Sequence, residues 1–167
     1  VIDRNGPVCA CGNRGCVEAF ASAGATLARV QRGIERGEAT LLRNHLKPHS
    51  RLTPEAVVSA ARQGDQLAQA ALSEACDALG TGIANAVQLL NPSLVALAGK
   101  FANAAGTYLL DSVTKAIRQQ CFETISRGLE VRLMPVRKDM GPVGCALLAS
   151  VDVAARVIQS ALFEVAR

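Results

Sequence analysis

The sequence predicts an α/β fold rich in helix. Three observations predict it. Two short, apolar, β-prone runs, "SLVALAG" (93–99) and "LEVRLMPV" (129–136), each stand between helical patterns. That order gives parallel strands joined by helical crossovers. Alanine-rich runs with helical periodicity take up most of the remaining chain. Near the N-terminus, "CACGNRGC" (9–16) fits neither pattern: it packs three cysteines into eight positions, punctuated by glycine.

The elements follow in order. Val1-Ile2-Asp3 reads as the tail of a strand entering a turn at Asn5-Gly6, so the chain is expected to begin inside a larger protein. "VEAFASAGATLARVQRGIERG" (17–37) reads as one helix with Glu18 in its first turn. Thr53 reads as an N-cap with Pro54 at the first helical position. That helix ends near Gly64, and Asp65 caps a long one over 66–90, stopped by Asn91-Pro92. "SLVALAG" is continuously apolar, the kind of strand buried on both faces. A helix over 107–121, the second strand ending near Pro135, and a closing helix over 141–165 complete the pattern. Two strands make a poor sheet alone, so missing strands are expected to complete it.

Half of the 167 residues are apolar and 19% are charged, which suits a packed core and not a disordered chain. The net charge of +4 is scattered. Arg29, Arg32 and Arg36 recur at helical spacing and read as a solvated face. No basic stripe with interleaved aromatics argues for direct nucleic-acid binding. No run reaches the ~18 apolar residues of a membrane span, and the start carries no signal-peptide pattern. The expected compartment is the cytoplasm, with no membrane partner.

Six cysteines are present. Cys76, Cys121 and Cys145 lie singly in apolar helical patterns and read as small buried apolar residues. Cys9, Cys11 and Cys16 differ. A disulfide scaffold is out of place without a signal sequence, and C-x-C is not the C-x-x-C of thioredoxin-like pairs. Zinc accounts for the spacing, since it takes four ligands in a tetrahedron and thiolates suit it. Cys9 and Cys11 chelate from a tight turn, while Gly12 and Gly15 let the backbone fold so that Cys16 returns to the ion. One coordination position is left. His45 and His49 are four apart, but Pro48 between them spoils a helix. They read as incidental loop residues, and the fourth ligand is expected upstream.

"GPVCACGNRGCVEAFAS" (6–22) resembles the signature of the ROK family, which groups bacterial sugar kinases with sugar-responsive transcriptional repressors. Cys9, Cys11, Gly12, Gly15, Cys16 and Glu18 form its core, with Ser22 matching a serine often seen further on. The resemblance continues through "LTPEAVVSAARQGD", "ALGTGIANAVQLLNPSLVALAG" and "GPVGCALLAS", in the family's order. It covers nearly the whole chain, but only the C-terminal half of a family member.

The resemblance implies the C-terminal portion of an actin-like ATPase (ribonuclease H-like) fold. It implies one domain fragment over 1–167, with a zinc loop (1–18), a helical region (19–90) and an α/β region (91–167), the N-terminal half being absent. It implies a structural zinc on Cys9, Cys11 and Cys16 that shapes a sugar pocket. The fourth ligand would be a histidine of a Gly-His pair falling just before Val1. It also implies that Glu18 contacts the sugar. A carboxylate beside a metal-bound cysteine and near a helix N-terminus is well held, and accepts hydrogen bonds from adjacent hydroxyls. From the residues alone, Glu18 equally serves the helix start.

In the kinases the strand resembling "SLVALAG" leads into a Gly-Gly pair near the nucleotide. Here the pair is Ala98-Gly99, then Lys100, and the added methyl weakens the case for ATP. Gly80 and Gly82 resemble the family's nucleotide-side helix start, although small residues in a long helix also serve close packing. Gly80 and Gly99 are therefore nucleotide-side candidates under a kinase reading only. The family's catalytic aspartate and phosphate loop belong to the N-terminal half, so no catalytic residue is expected here. The resemblance points to the sugar-sensing effector domain of a repressor, with a sugar kinase as the alternative. DNA would be reached only through a missing winged-helix domain. Repressors on palindromic sites are dimers, so a homo-oligomer is expected.

Overall fold

The computed structural model of the chain describes residues 1–46, 51–135 and 140–165. They fall into two compact units, Val1–Met134 and Pro135–Arg167. The first begins with the cysteine loop and continues through α1 (Val17–Ala21), α2 (Ala23–Glu35), a 3-10 turn (Leu41–Leu46), α3 (Pro54–Arg62) and α4 (Gln66–Leu90). Then come β1 (Leu94–Leu97), α5 (Lys100–Ala105), α6 (Thr107–Gln120), α7 (Glu123–Ser126) and β2 (Glu130–Leu133). The second unit carries α8 (Met140–Val165).

Helix α4 is the spine of the first unit. Its alanines and leucines favour helix, with no proline to interrupt them. Asp65 caps it, accepting from the Ala68 amide, and Asn91 ends it in the left-handed region at φ 43°. The same carboxylate accepts from the Thr40 hydroxyl at 2.7 Å and the Leu41 amide at 2.6 Å, tying the 3-10 turn to the start of α4. Thr53 caps α3 through the Ala56 amide, with Pro54 in the first turn. The core runs through Val30, Val57, Leu72, Cys76, Leu109 and Val113, all fully buried. Helix α6 lies along α4 so closely that a Cβ on Gly80 would sit 2.5 Å from that of Ala116.

The two strands pair in parallel, with Leu94 opposite Glu130 and Leu97 opposite Leu133. Helix α6 lies in the crossover between them, as the helix–strand alternation requires.

The structure corrects several expectations. The helix expected over 17–37 is two, because Ser22 adopts an extended backbone (φ −66°, ψ 153°) and its side chain accepts from the Ala25 amide. A serine at this point competes with the helix and caps the next one instead. Residues 1–3 form no strand: the Ile2 amide donates to the Gly15 carbonyl within the cysteine loop. Strand β1 is not buried on both faces. Leu97 is buried but Leu94 is 44% exposed, because a two-stranded sheet with one helical layer leaves the other face open. Cys76 and Cys121 are buried as expected, but Cys145 is exposed on α8. Arg29 is not solvated like Arg32 and Arg36. Its side chain is 15% exposed.

Candidate metal centre and adjoining cleft

The loop is closed by its own backbone. The Cys9 amide donates to the Asn13 carbonyl at 2.8 Å, the Gly15 amide to Pro7 at 2.9 Å and the Ile2 amide to Gly15 at 2.8 Å. Gly12 and Gly15 take φ values of 91° and 66°, a region costly for residues with a Cβ. At Gly15 a methyl would also overlap the Asp3 carbonyl. The chain therefore doubles back within eight residues, and the three thiols converge.

The Sγ atoms of Cys9, Cys11 and Cys16 all lie within 4.8 Å of one another. Cys11 and Cys16 are 3.6 Å apart. A tetrahedron with zinc–sulfur bonds of about 2.3 Å has edges of about 3.8 Å, so these thiols sit at the spacing of zinc ligands. Cys9 is buried, Cys16 half-buried and Cys11 exposed, so an ion would have one open side. Among the described residues no histidine or carboxylate joins the three. His45 lies in the 3-10 turn, and His49 lies outside the described residues.

The thiols are unequal. The Asn13 backbone amide, with hydrogen bonds from Cys16 and Cys9, lowers the Cys11 pKa. Cys16 is pushed up to about 11, chiefly by its hydrogen bond to Cys11 and then by desolvation. Of this pair, Cys11 loses its proton before Cys16. A metal must displace the remaining protons as it binds.

Cys16 is the residue on which α1 begins, and Glu18 sits exposed in its first turn. Helix α1 is seated on α4 by Val17, whose Cγ2 occupies the gap left by Gly82, 2.6 Å from where a Cβ would stand. A cleft of about 550 Å³ opens beside the loop, lined by Cys9, Glu18, Ser22, Arg29, Arg32 and Glu74 among others. Carboxylates and arginines both line the cleft, Arg29 and Glu74 paired with each other, so it offers acceptors and donors to a polyhydroxylated molecule.

Arg29 and Glu74 did not stand out as site residues in the sequence. Arg29 donates to Glu74 through Nε at 2.6 Å and Nη2 at 2.7 Å. It also donates to the backbone carbonyls of Phe20 and Ala71, both at 3.3 Å. A signal was there. Thr26, Val30 and Gly33 form the buried stripe of α2, and Arg29 falls within it at i+3 from Thr26.

The two nucleotide-side candidates lie in different elements. Gly80 is buried in the α4–α6 seam against Ala116. Gly99 is exposed at the start of α5 with φ 113° and open space around its Cα.

Comparison with known proteins follows the same lines. A family model described as the ROK family matches residues 1–151. A xylose repressor of Caldicellulosiruptor bescii is 28% identical over 145 residues, 87% of this chain and 36% of that protein. A glucokinase of Thermotoga maritima is 30% identical over 146 residues, 87% of this chain and 46% of that protein. The crystal structure of a ROK family transcriptional regulator, described as a homologue of the E. coli MLC protein, superposes with a TM-score of 0.73. It is 31% identical over 82% of this chain and 33% of that one. The chain thus spans less than half the length of these relatives.

Proposed function

This chain belongs to the ROK family, and from that premise we propose that it is the sugar-sensing effector portion of a ROK-type transcriptional repressor. The observation that carries the proposal is that three thiols converge, and that one of them, Cys9, lines the same cleft as Glu18. Cys9, Cys11 and Cys16 hold a structural zinc, completed by a ligand from outside this group. The ion cross-links the loop and so fixes the start of α1. Glu18 accepts hydrogen bonds from two adjacent sugar hydroxyls. The fold that goes with this reading is the C-terminal portion of an actin-like ATPase, with residues 1–167 forming one part of a longer, homo-oligomeric protein. DNA contact belongs to a separate domain, and sugar binding shifts its affinity by favouring one of two conformations.

The kinase reading has its own support. The glucokinase of Thermotoga maritima is as similar as the repressor, and Gly99 keeps the open, left-handed backbone that a nucleotide approach needs. Ala98 beside it favours the repressor, because its methyl stands where a Gly-Gly pair leaves room.

Calorimetric titration with xylose, glucose, N-acetylglucosamine and ATP tests the proposal. Binding of a sugar without ATP, weakened about tenfold or more by Glu18→Gln, is the expected result. Binding of ATP would move the assignment to the kinase. Absence of binding by every sugar would contradict the sugar-sensing reading.

A further inference from the structure

We infer that Arg29 is a positioning residue, which with Glu74 clamps the short helix bearing Glu18 and so sets the geometry of the loop and the cleft. Helix α1 has five residues, too few to be stable on its own. Something outside it must hold it. Val17 seats one end against Gly82. The other end is held by Arg29, whose guanidinium donates to the Phe20 carbonyl at 3.3 Å.

That carbonyl is in the last turn of α1, where backbone acceptors have no partner within the helix and a cation is favoured. The same guanidinium is anchored on α4 by both Glu74 carboxylate oxygens and the Ala71 carbonyl. One planar group therefore ties three elements together: α2, which carries it, α1 and α4. Arginine suits this task because its rigid fork serves several acceptors at once, whereas a lysine ammonium is a point charge on a flexible stem. Glu74 is half exposed, so its part is to aim the guanidinium rather than to hold a buried charge. The consequence for ligand binding rests on the sugar-sensing reading. The clamp itself does not.

Amide hydrogen exchange on the whole chain tests the clamp, with the unfolding midpoint measured alongside. The variants are Glu74→Gln, Arg29→Lys and the swap of Arg29→Glu with Glu74→Arg. The swap reforms an ion pair but places an acid where the Phe20 carbonyl needs a donor.

The expected result is that exchange over residues 16–22 quickens about tenfold or more in all three variants, while α3 keeps its protection. The swap is expected to recover the unfolding midpoint lost in Glu74→Gln without recovering protection at 16–22. Unchanged exchange over 16–22, or a swap that restores both, would overturn the inference, since the pair would then contribute only general stability. Glucose, xylose and N-acetylglucosamine titrations of the unaltered chain keep the two readings apart. If none of these sugars binds, the sugar-sensing reading falls and the exchange result still decides the clamp.

Discussion

Gly15 is the residue on which the cysteine loop turns. Its φ of 66° and the Asp3 carbonyl beside it leave no place for a side chain. Gly15→Ala should therefore displace the loop, at a cost of about 1–3 kcal/mol from backbone strain alone. Metal content measured beside the thermal midpoint checks this: both are expected to fall, the metal to near zero. Gly12→Ala is the contrast, because it shares the positive φ but meets no neighbour within 4 Å. It should be milder on both readouts.

Asp65 offers a pH test at the same scale. Burial alone would raise its carboxyl, but hydrogen bonds from the Thr40 hydroxyl and the Ala68, Leu41 and Leu67 amides outweigh this and hold it below its ordinary value. A carboxyl depressed in the folded state contributes stability that is present above the unfolded pKa of about 3.9 and fades as pH falls through the folded value. Asp65→Asn should cost about 1–2 kcal/mol at neutral pH and less below pH ~4. Denaturant unfolding across pH checks both. A loss that stays constant down to pH ~2 would contradict the assignment.

Among the elements, α1 and α2 show what was legible and what was not. Periodicity ran across both, and so predicted one helix. Ser22 breaks it, and an N-cap serine inside a helical pattern is hard to distinguish from a tolerated one until the backbone is seen. Ser22→Ala should destabilise by about 1 kcal/mol and loosen the junction, read as faster exchange at Ala25 and Thr26. The caps at Thr53 and Asp65, the stop at Asn91 and both strands were legible because local chemistry decides them. Helices α5 and α7 were not, being short pieces fixed by packing. The seam of α4 and α6 carries the bland reading of Gly80: Gly80→Ala should overpack it against Ala116, costing about 1–3 kcal/mol. A midpoint unchanged by that substitution would argue that the seam has slack.

At the scale of the whole molecule, the sequence carried the cysteine triad and Glu18 because their spacing is local. It did not carry the cleft, whose walls come from the loop, α1, α2 and α4, far apart in sequence; the Arg29–Glu74 pair alone spans 45 residues. Arg29 read as solvated because charge is the stronger signal in a helical stripe, although its position in that stripe was inward. The open face of β1 and the exposed Leu89 and Leu90 at the end of α4 belong to this scale too. Among the described residues no helix is long and apolar enough to cross a membrane, so these apolar positions are not part of a helical span.

The most direct measurement is metal content by inductively coupled plasma mass spectrometry, on chain purified under reducing conditions without added chelator. The account predicts about one zinc per chain, lost in Cys11→Ser. A folded chain with no bound zinc would contradict the reading of Cys9, Cys11 and Cys16 as a metal centre, and with it the role given to the loop in shaping the cleft.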